Sequence, residues 1–178
     1  MGLPFPASAF QIGRHPDIQR NGGLLMRSLK PILLLEDDYV DAMTVRRALK
    51  DLNVLNSLVR VVNGEEAIEY LRDDTNIKPC VILLDLNMPK MNGNEFLKVV
   101  KDDPKLRCIP VVVLTTSKAD QDKFECFSRS IAGYIVKPTD YEEFVKAMKI
   151  LDLYWTLSEL PGSSLDDADI KLEKAICN

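Results

Sequence analysis

The sequence predicts an α/β fold, a flavodoxin-like doubly wound sheet of five parallel strands in the order 2-1-3-4-5. Three observations predict it. Five short apolar runs recur along the chain, at 32–35, 58–62, 81–84, 110–114 and 134–136. Segments with helical spacing of apolar residues separate them. Four of the five runs end in an acid, a threonine or a lysine. Strands alternating with helices argue for a parallel sheet covered on both faces, and right-handed crossovers limit its topology to the doubly wound type.

Each element has its own reason. Ile32–Leu35 lies between Pro31 and the acids Glu36-Asp37-Asp38 and reads as a strand buried on both faces. Asp38 suits the N-cap of the next helix, in which Val40, Met43, Thr44, Arg47 and Ala48 recur at helical spacing. Leu58–Val62 is a strand closed by Asn63-Gly64, and Ala67, Ile68 and Leu71 mark a short amphipathic helix. Val81–Leu84 ends in Asp85, and Phe96, Leu97 and Val100 mark a helix that stops before Pro104. Pro110–Leu114 ends in Thr115-Thr116-Ser117, and a weaker helix follows over 119–130. Tyr134–Val136 ends in Lys137-Pro138, and a long helix runs from 140 to 157.

A chain of 178 residues has room for one well-formed core and little more. Its 46 % apolar and 28 % charged residues are those of a globular protein. The net charge of −4 excludes the basic footprint expected of direct nucleic-acid binding. The longest apolar runs hold four or five residues, too few for a transmembrane helix, and residues 1–21 lack the pattern of a signal peptide. A cytoplasmic protein without membrane association is expected. The cysteines at 80, 108, 126 and 177 form no C-x-x-C pair and the only histidine is His15, so a Cys/His zinc site is excluded and buried free thiols are expected. Residues 1–29, with three prolines, four glycines and no sustained period, read as a flexible N-terminal tail. The ordered domain is expected over 30–158, with a C-terminal tail or short helix over 159–178.

In open α/β sheets the site lies beyond the carboxyl ends of the strands. Glu36 and Asp37 stand there on the first strand, Asp85 on the third, Thr115 on the fourth and Lys137 on the fifth. Three converging carboxylates repel one another, and a hard divalent cation such as Mg²⁺ removes the problem. A cation beside Asp85 would neutralise charge on an incoming phosphoryl group. Asp85 would then serve as nucleophile and form an acyl phosphate. Lys137 would pair with one phosphoryl oxygen and Thr115 would donate a hydrogen bond to another. A single acid at a strand end is ordinarily a cap or a solvated residue, which fits Asp38. That reading does not account for three acids facing a threonine and a lysine on other strands.

The stretches ILLLEDD (32–38), ILLDLNMPKMNG (82–93), PVVVLTTS (110–117) and GYIVKP (133–138) resemble the receiver domain of bacterial two-component response regulators. Asp85 to Thr115 is 30 residues and Thr115 to Lys137 is 22, as that family's layout requires. The resemblance makes Asp85 the phosphoacceptor. It makes Glu36 and Asp37 the acidic pair, Asp37 a direct Mg²⁺ ligand and Glu36 one through water, and it has Asn87 lend its backbone carbonyl to the metal. It gives Thr115 and Lys137 to the phosphoryl group, Thr115 and Tyr134 to a conformational switch, and a cis bond to Lys137-Pro138. It implies Mg²⁺ as cofactor, a sensor histidine kinase as partner, and self-directed phosphotransfer and autodephosphorylation rather than enzymatic turnover. Asn87 and Ser117 would tune water access to the phosphoryl group. Thr116 departs from the smaller residue common in the family. The long interval from Asp37 to Asp85 and the ending LDLYWTLSELP (151–161) resemble the small stand-alone regulators of phytochrome-type kinases.

The last helix is more apolar than covering one side of a sheet requires. Tyr141, Phe144, Met148, Leu151 and Trp155 form one stripe, and Ile150, Leu153, Tyr154 and Leu157 widen it. A homodimer through the surface from the fourth strand to the last helix is therefore expected. Two rival functions stay open, a phosphate-independent interaction module on the same fold and a phosphorelay intermediate. A Mg²⁺-dependent phosphatase is disfavoured, because Asn87 stands where such an enzyme carries a second acid.

Overall fold

The computed structural model describes residues 30–116 and 120–157. The expected tails, 1–29 and 159–178, lie outside the described residues, as does Ser117. Strands and helices alternate as β1 (Ile32–Leu35), α1 (Tyr39–Asp51), β2 (Leu58–Val61), α2 (Gly64–Arg72), β3 (Val81–Leu84), α3 (Gly93–Asp102), β4 (Val111–Thr115), α4 (Asp120–Ser128), β5 (Gly133–Val136) and α5 (Tyr141–Leu157). All strand pairs are parallel and the order is β2-β1-β3-β4-β5, the topology the alternation predicts.

β1, β3 and β4 are buried along their whole length. Their apolar side chains have no solvated face, which only the centre of a two-sided α/β sheet satisfies. Leu33, Leu35, Ile82, Leu84 and Val113 join one core with Phe96 and Leu97 of α3 and Cys126 of α4. Ile32, Leu34, Leu83, Val112 and Leu114 join the other with α1 and α5. Each fully buried Leu, Ile or Val contributes roughly 1.5–3 kcal/mol, so these three strands anchor the domain. The edge strands β2 and β5 are half-buried.

Short polar side chains start the helices. Asp38 caps α1 by accepting the Val40 and Asp41 amides, Asn63 caps α2, and Asn92 forms a reciprocal capping box with Glu95 at the start of α3. Asn92-Gly93 is thus the turn into α3, and the glycine has a packing role. A Cβ on Gly93 would stand 2.5 Å from the Asp85 carbonyl oxygen and 2.6 Å from the Leu86 Cα. Gly93 therefore lets the start of α3 press against the backbone that carries Asp85.

The structure corrects four readings. Of the stripe assigned to α1 only Ala48 is buried: Val40 and Met43 are exposed, and the face on the sheet is Ala42, Val45, Ala48 and Leu49. The periodicity holds one face of each hydrophobicity, and only packing against α5 selects between them. In α5 the core stripe is Phe144, Met148 and Leu151. Tyr141 leaves it, donating its hydroxyl to Asp51 Oδ2 at 2.8 Å under the Arg47 guanidinium. Of the cysteines described, Cys126 is buried and Cys80 half-buried, but Cys108 is exposed, because it lies in the turn after α3 and not in β4. No peptide bond among the described residues is cis, so Lys137-Pro138 is trans, the isomer X-Pro bonds favour. Lys90 also proves distinctive, with φ of 62° after Pro89, a backbone form that suits glycine or asparagine.

Replacing Gly93 by Ala is expected to lower the unfolding free energy by about 1–3 kcal/mol, since the new methyl meets backbone that cannot rotate away. Gly133→Ala, whose Cβ would stand 3.7 Å from Val112, should change it by less than about 1 kcal/mol. Urea titration of both variants checks the contrast.

Candidate functional site

The parallel ladder runs one residue past the strands and so aligns the site. The Glu36 amide donates to the Val61 carbonyl at 3.0 Å, the Asp85 amide to the Leu35 carbonyl at 3.0 Å, and the Lys137 amide to the Thr115 carbonyl at 2.8 Å. Side chains of strand-end residues on β1, β3 and β5 are thereby held at one edge of the sheet.

Lys137 is the hub of that edge. Its Nζ donates to Glu36 Oε2 at 2.5 Å, Asp41 Oδ2 at 2.6 Å and Asp85 Oδ2 at 3.2 Å. The lysine and Asp85 side chains are each 9 % exposed, and that of Glu36 is 2 % exposed. Burial pushes the Glu36 carboxyl above its ordinary range, and the Lys137 ammonium pulls it back only in part. Burial also works against the Lys137 ammonium. Hydrogen bonds to Asp41 and Glu36, with the charges of Glu36 and Asp85, outweigh it and hold the lysine above its ordinary range.

The other oxygen of Asp85, Oδ1, accepts the Asn87 amide at 3.2 Å. The Asn87 side chain donates to Thr115 Oγ1 at 3.5 Å, and Thr115 is fully buried. Tyr134 pairs in register with Val113. Thr115 lies two residues beyond Val113, on the same face of β4. Thr115 and Tyr134 are therefore diagonal cross-strand neighbours, close enough for an aromatic side chain to respond to the hydroxyl. Tyr134 is half-buried and packs against the core on that face.

Glu36, Asp85, Asn87, Thr115 and Lys137 are thus brought together. Asp37 is not: it is exposed, and the carboxylates with oxygens within 4.8 Å of one another are Glu36, Asp41 and Asp85. Three hard oxygen donors at that spacing fit a divalent cation of the Mg²⁺, Mn²⁺ or Ca²⁺ type. Two residues escape the sequence reading. Arg60 on β2 donates from Nε to the Glu36 carbonyl at 2.9 Å and from Nη2 to the Asp37 carbonyl at 2.7 Å, clamping the acidic corner from outside. Asp41 reaches Lys137 from α1. Its signal was present in the cap: Asp38 at the N-cap makes Asp41 the third helical residue, and helical side chains lean back toward the N-terminus, here toward the strand ends.

Residues 32–149 match the response regulator receiver domain. The chain belongs to that family. Among characterised relatives, it is 33 % identical over 130 residues to response regulator Rcp1 of Synechocystis, covering 71 % of this chain and 88 % of that protein. It is 36 % identical over 127 residues to the probable methanogenesis regulatory protein FilR2 of Methanothrix harundinacea, covering 70 % of this chain and 82 % of that one. The crystal structure of the phosphorylated cyanobacterial phytochrome response regulator RcpA aligns with a TM-score of 0.70 at 37 % identity, over 75 % of this chain and 99 % of that one. The Mn²⁺-bound form of Rcp1 aligns with a TM-score of 0.69 at 33 % identity, over 75 % of this chain and 99 % of that one. This chain is accordingly a receiver of the two-component type, with an acidic cluster at the sheet edge. None of its described helices is long and apolar enough to cross a membrane.

Lys137→Met leaves the buried carboxylates without their counter-charge, and should cost about 3 kcal/mol at neutral pH in chelator. The sign with pH follows from Glu36, whose carboxyl is held above its ordinary range by burial in the folded protein. Such a group loses stability as pH rises from its unfolded value through its folded one. The deficit of the variant should therefore shrink on acidification toward pH 5. Urea midpoints from pH 5 to 8 check it.

Proposed function

We propose that Asp85 accepts a phosphoryl group from a sensor histidine kinase in a Mg²⁺-dependent step, and that the phosphorylated receiver signals by binding protein partners. The observation that carries this reading is the buried Asp85 carboxylate at the sheet edge, with Lys137 Nζ at 3.2 Å from one oxygen and the Asn87 amide at 3.2 Å from the other. A carboxylate so placed is oriented, and its negative charge is held beside a fixed cation.

In the step, an Asp85 oxygen attacks phosphorus, a P–O bond forms, and the P–N bond to the donor histidine breaks, the imidazole leaving with its electron pair and taking up a proton. Glu36 and Asp85, with the Asn87 carbonyl, would hold Mg²⁺, joined by Asp37 once its exposed side chain turns inward; the ion would supply charge neutralisation at the phosphoryl oxygens. Lys137 pairs with one phosphoryl oxygen and Thr115 donates to another. Drawing the Thr115 hydroxyl toward the phosphoryl group leaves space on its face of the sheet, and Tyr134 turns into it. This is a local charge event biasing a two-state element. The chemistry is self-directed, ending in autodephosphorylation rather than turnover of a metabolite.

Similarity to RcpA, a phytochrome response regulator, supports a phytochrome-type kinase as donor. The partner face, we propose, is the one from β4 to α5, used first by a second copy of the chain. Phe124 and Phe127 of α4 and Ile150, Leu153 and Tyr154 of α5 are exposed on either side of the edge strand β5, and apolar surface of that kind marks an association site. The side chains of Trp155 and Leu157 lie outside the described residues. A phosphate-independent module has no use for an oriented Asp85 beside Lys137, and nothing on this surface favours a phosphorelay intermediate over the simpler reading.

Intact-mass measurement after incubation with Mg²⁺ and acetyl phosphate should give one phosphoryl adduct on the wild type and none on Asp85→Asn. An adduct on the variant refutes the assignment. Sedimentation at micromolar concentration should show a dimer, and Leu153→Glu with Tyr154→Glu should convert it to monomer.

A further inference from the structure

Asp41 has no part in the reading above, yet it makes one of the two shortest contacts to Lys137. An ammonium has three donors, and here the three go to Glu36, Asp41 and Asp85. The partners differ in what they can give up. Glu36 is 2 % exposed and would be left dry if its bond to Lys137 broke, whereas Asp41 is 40 % exposed and can return to water. Nζ also sits nearer Asp41, at 2.6 Å, than Asp85, at 3.2 Å. A phosphoryl group on Asp85 would compete with Asp41 for the same ammonium, and Asp41 is the partner that water can most readily replace.

Resting on the function proposed above, we infer that Asp41 is a positioning residue that withholds Lys137 from the phosphoryl group while adding to the negative field that holds the cation. Three features make it suited to both. It stands at the third position of α1, where the cap by Asp38 on the Val40 and Asp41 amides, at 2.7 and 2.9 Å, fixes its backbone. Its oxygen lies within 4.8 Å of one from Glu36 and one from Asp85, so its charge acts on any cation held there. The phosphoryl group brings between one and two further negative charges at neutral pH, and Asp41 opposes those. One carboxylate therefore acts with opposite sign on the two ligands of the site: it favours the cation and disfavours the phosphoryl group.

The opposition of sign is the test. Mn²⁺ alone, titrated by electron paramagnetic resonance, reads the cation. Beryllium fluoride at saturating Mg²⁺, followed by fluorine NMR, reads the phosphoryl position. Asp41→Asn should weaken Mn²⁺ by about fivefold, as expected for removing one charge some 5 Å away in a partly solvated site. The same variant should bind beryllium fluoride about threefold more tightly. Asp41→Glu should return both toward wild type, and Asp41→Ser should reproduce the asparagine result. If Asp41→Asn weakens both ligands together, Asp41 is merely structural and the inference is overturned; if neither affinity moves, it is overturned as well. A wild-type protein that takes up neither Mn²⁺ nor beryllium fluoride would instead refute the proposed function, a result separate from any behaviour of the variants.

Discussion

Three carboxylates meet on one ammonium at the end of the sheet, and the rest of the structure is arranged so that they must. Lys137 draws Glu36 from β1, Asp85 from β3 and Asp41 from α1 to a common point. Without it, buried anions would face one another in a medium where charge is poorly screened. With it, the cluster keeps an excess of negative charge, and that excess suits a divalent cation. In the function proposed here, the same ammonium that makes the cluster tolerable at rest is the group that would turn to a phosphoryl oxygen. Structural and chemical roles therefore fall on one side chain, and the site's charge balance is poised rather than neutral.

That meeting depends on register. β1 pairs with β3 so that Leu35 lies opposite Leu84, and β4 pairs with β5 so that Thr115 lies opposite Val136. A slip of one residue in any pairing would exchange the side chains that enter the two cores and carry the site residues to the wrong side. The two cores hold the register because each strand places its leucines, isoleucines and valines alternately into one and the other. Gly93 adds a further constraint by bringing α3 against the Asp85–Leu86 backbone. The functional edge is thus continuous with the core below it.

Part of this was legible in the residues. The acids, the threonine and the lysine ending four of the five apolar runs pointed to the edge at which they gather, and alternation of strand and helix pointed to the order of the sheet. The phase of α1 was not legible, because Val40 and Met43 are as apolar as Ala42 and Val45. Nor was the part played by Asp41, which looked like an ordinary acid in the first turn of a helix. Arg60 is illegible for a similar reason: an arginine on an edge strand is ordinarily a solvated side chain, and only the fold puts its guanidinium on the Glu36 and Asp37 carbonyls.

The sequence by itself determined the fold class, the order of the elements and the strand-end candidates Glu36, Asp37, Asp85, Thr115 and Lys137, since each follows from a local pattern of period or from a polar residue closing an apolar run, whereas Asn87 entered through the family resemblance. Tertiary structure alone decided which acids share a cation-sized space, that Asp37 stands apart while Asp41 enters, and which donors Lys137 spends on each. The reason is physical. Periodicity and strand ends are properties of adjacent residues, whereas the direction of a side chain on a helix, relative to a strand 96 positions away in the chain, is set only when both elements are packed against the same sheet.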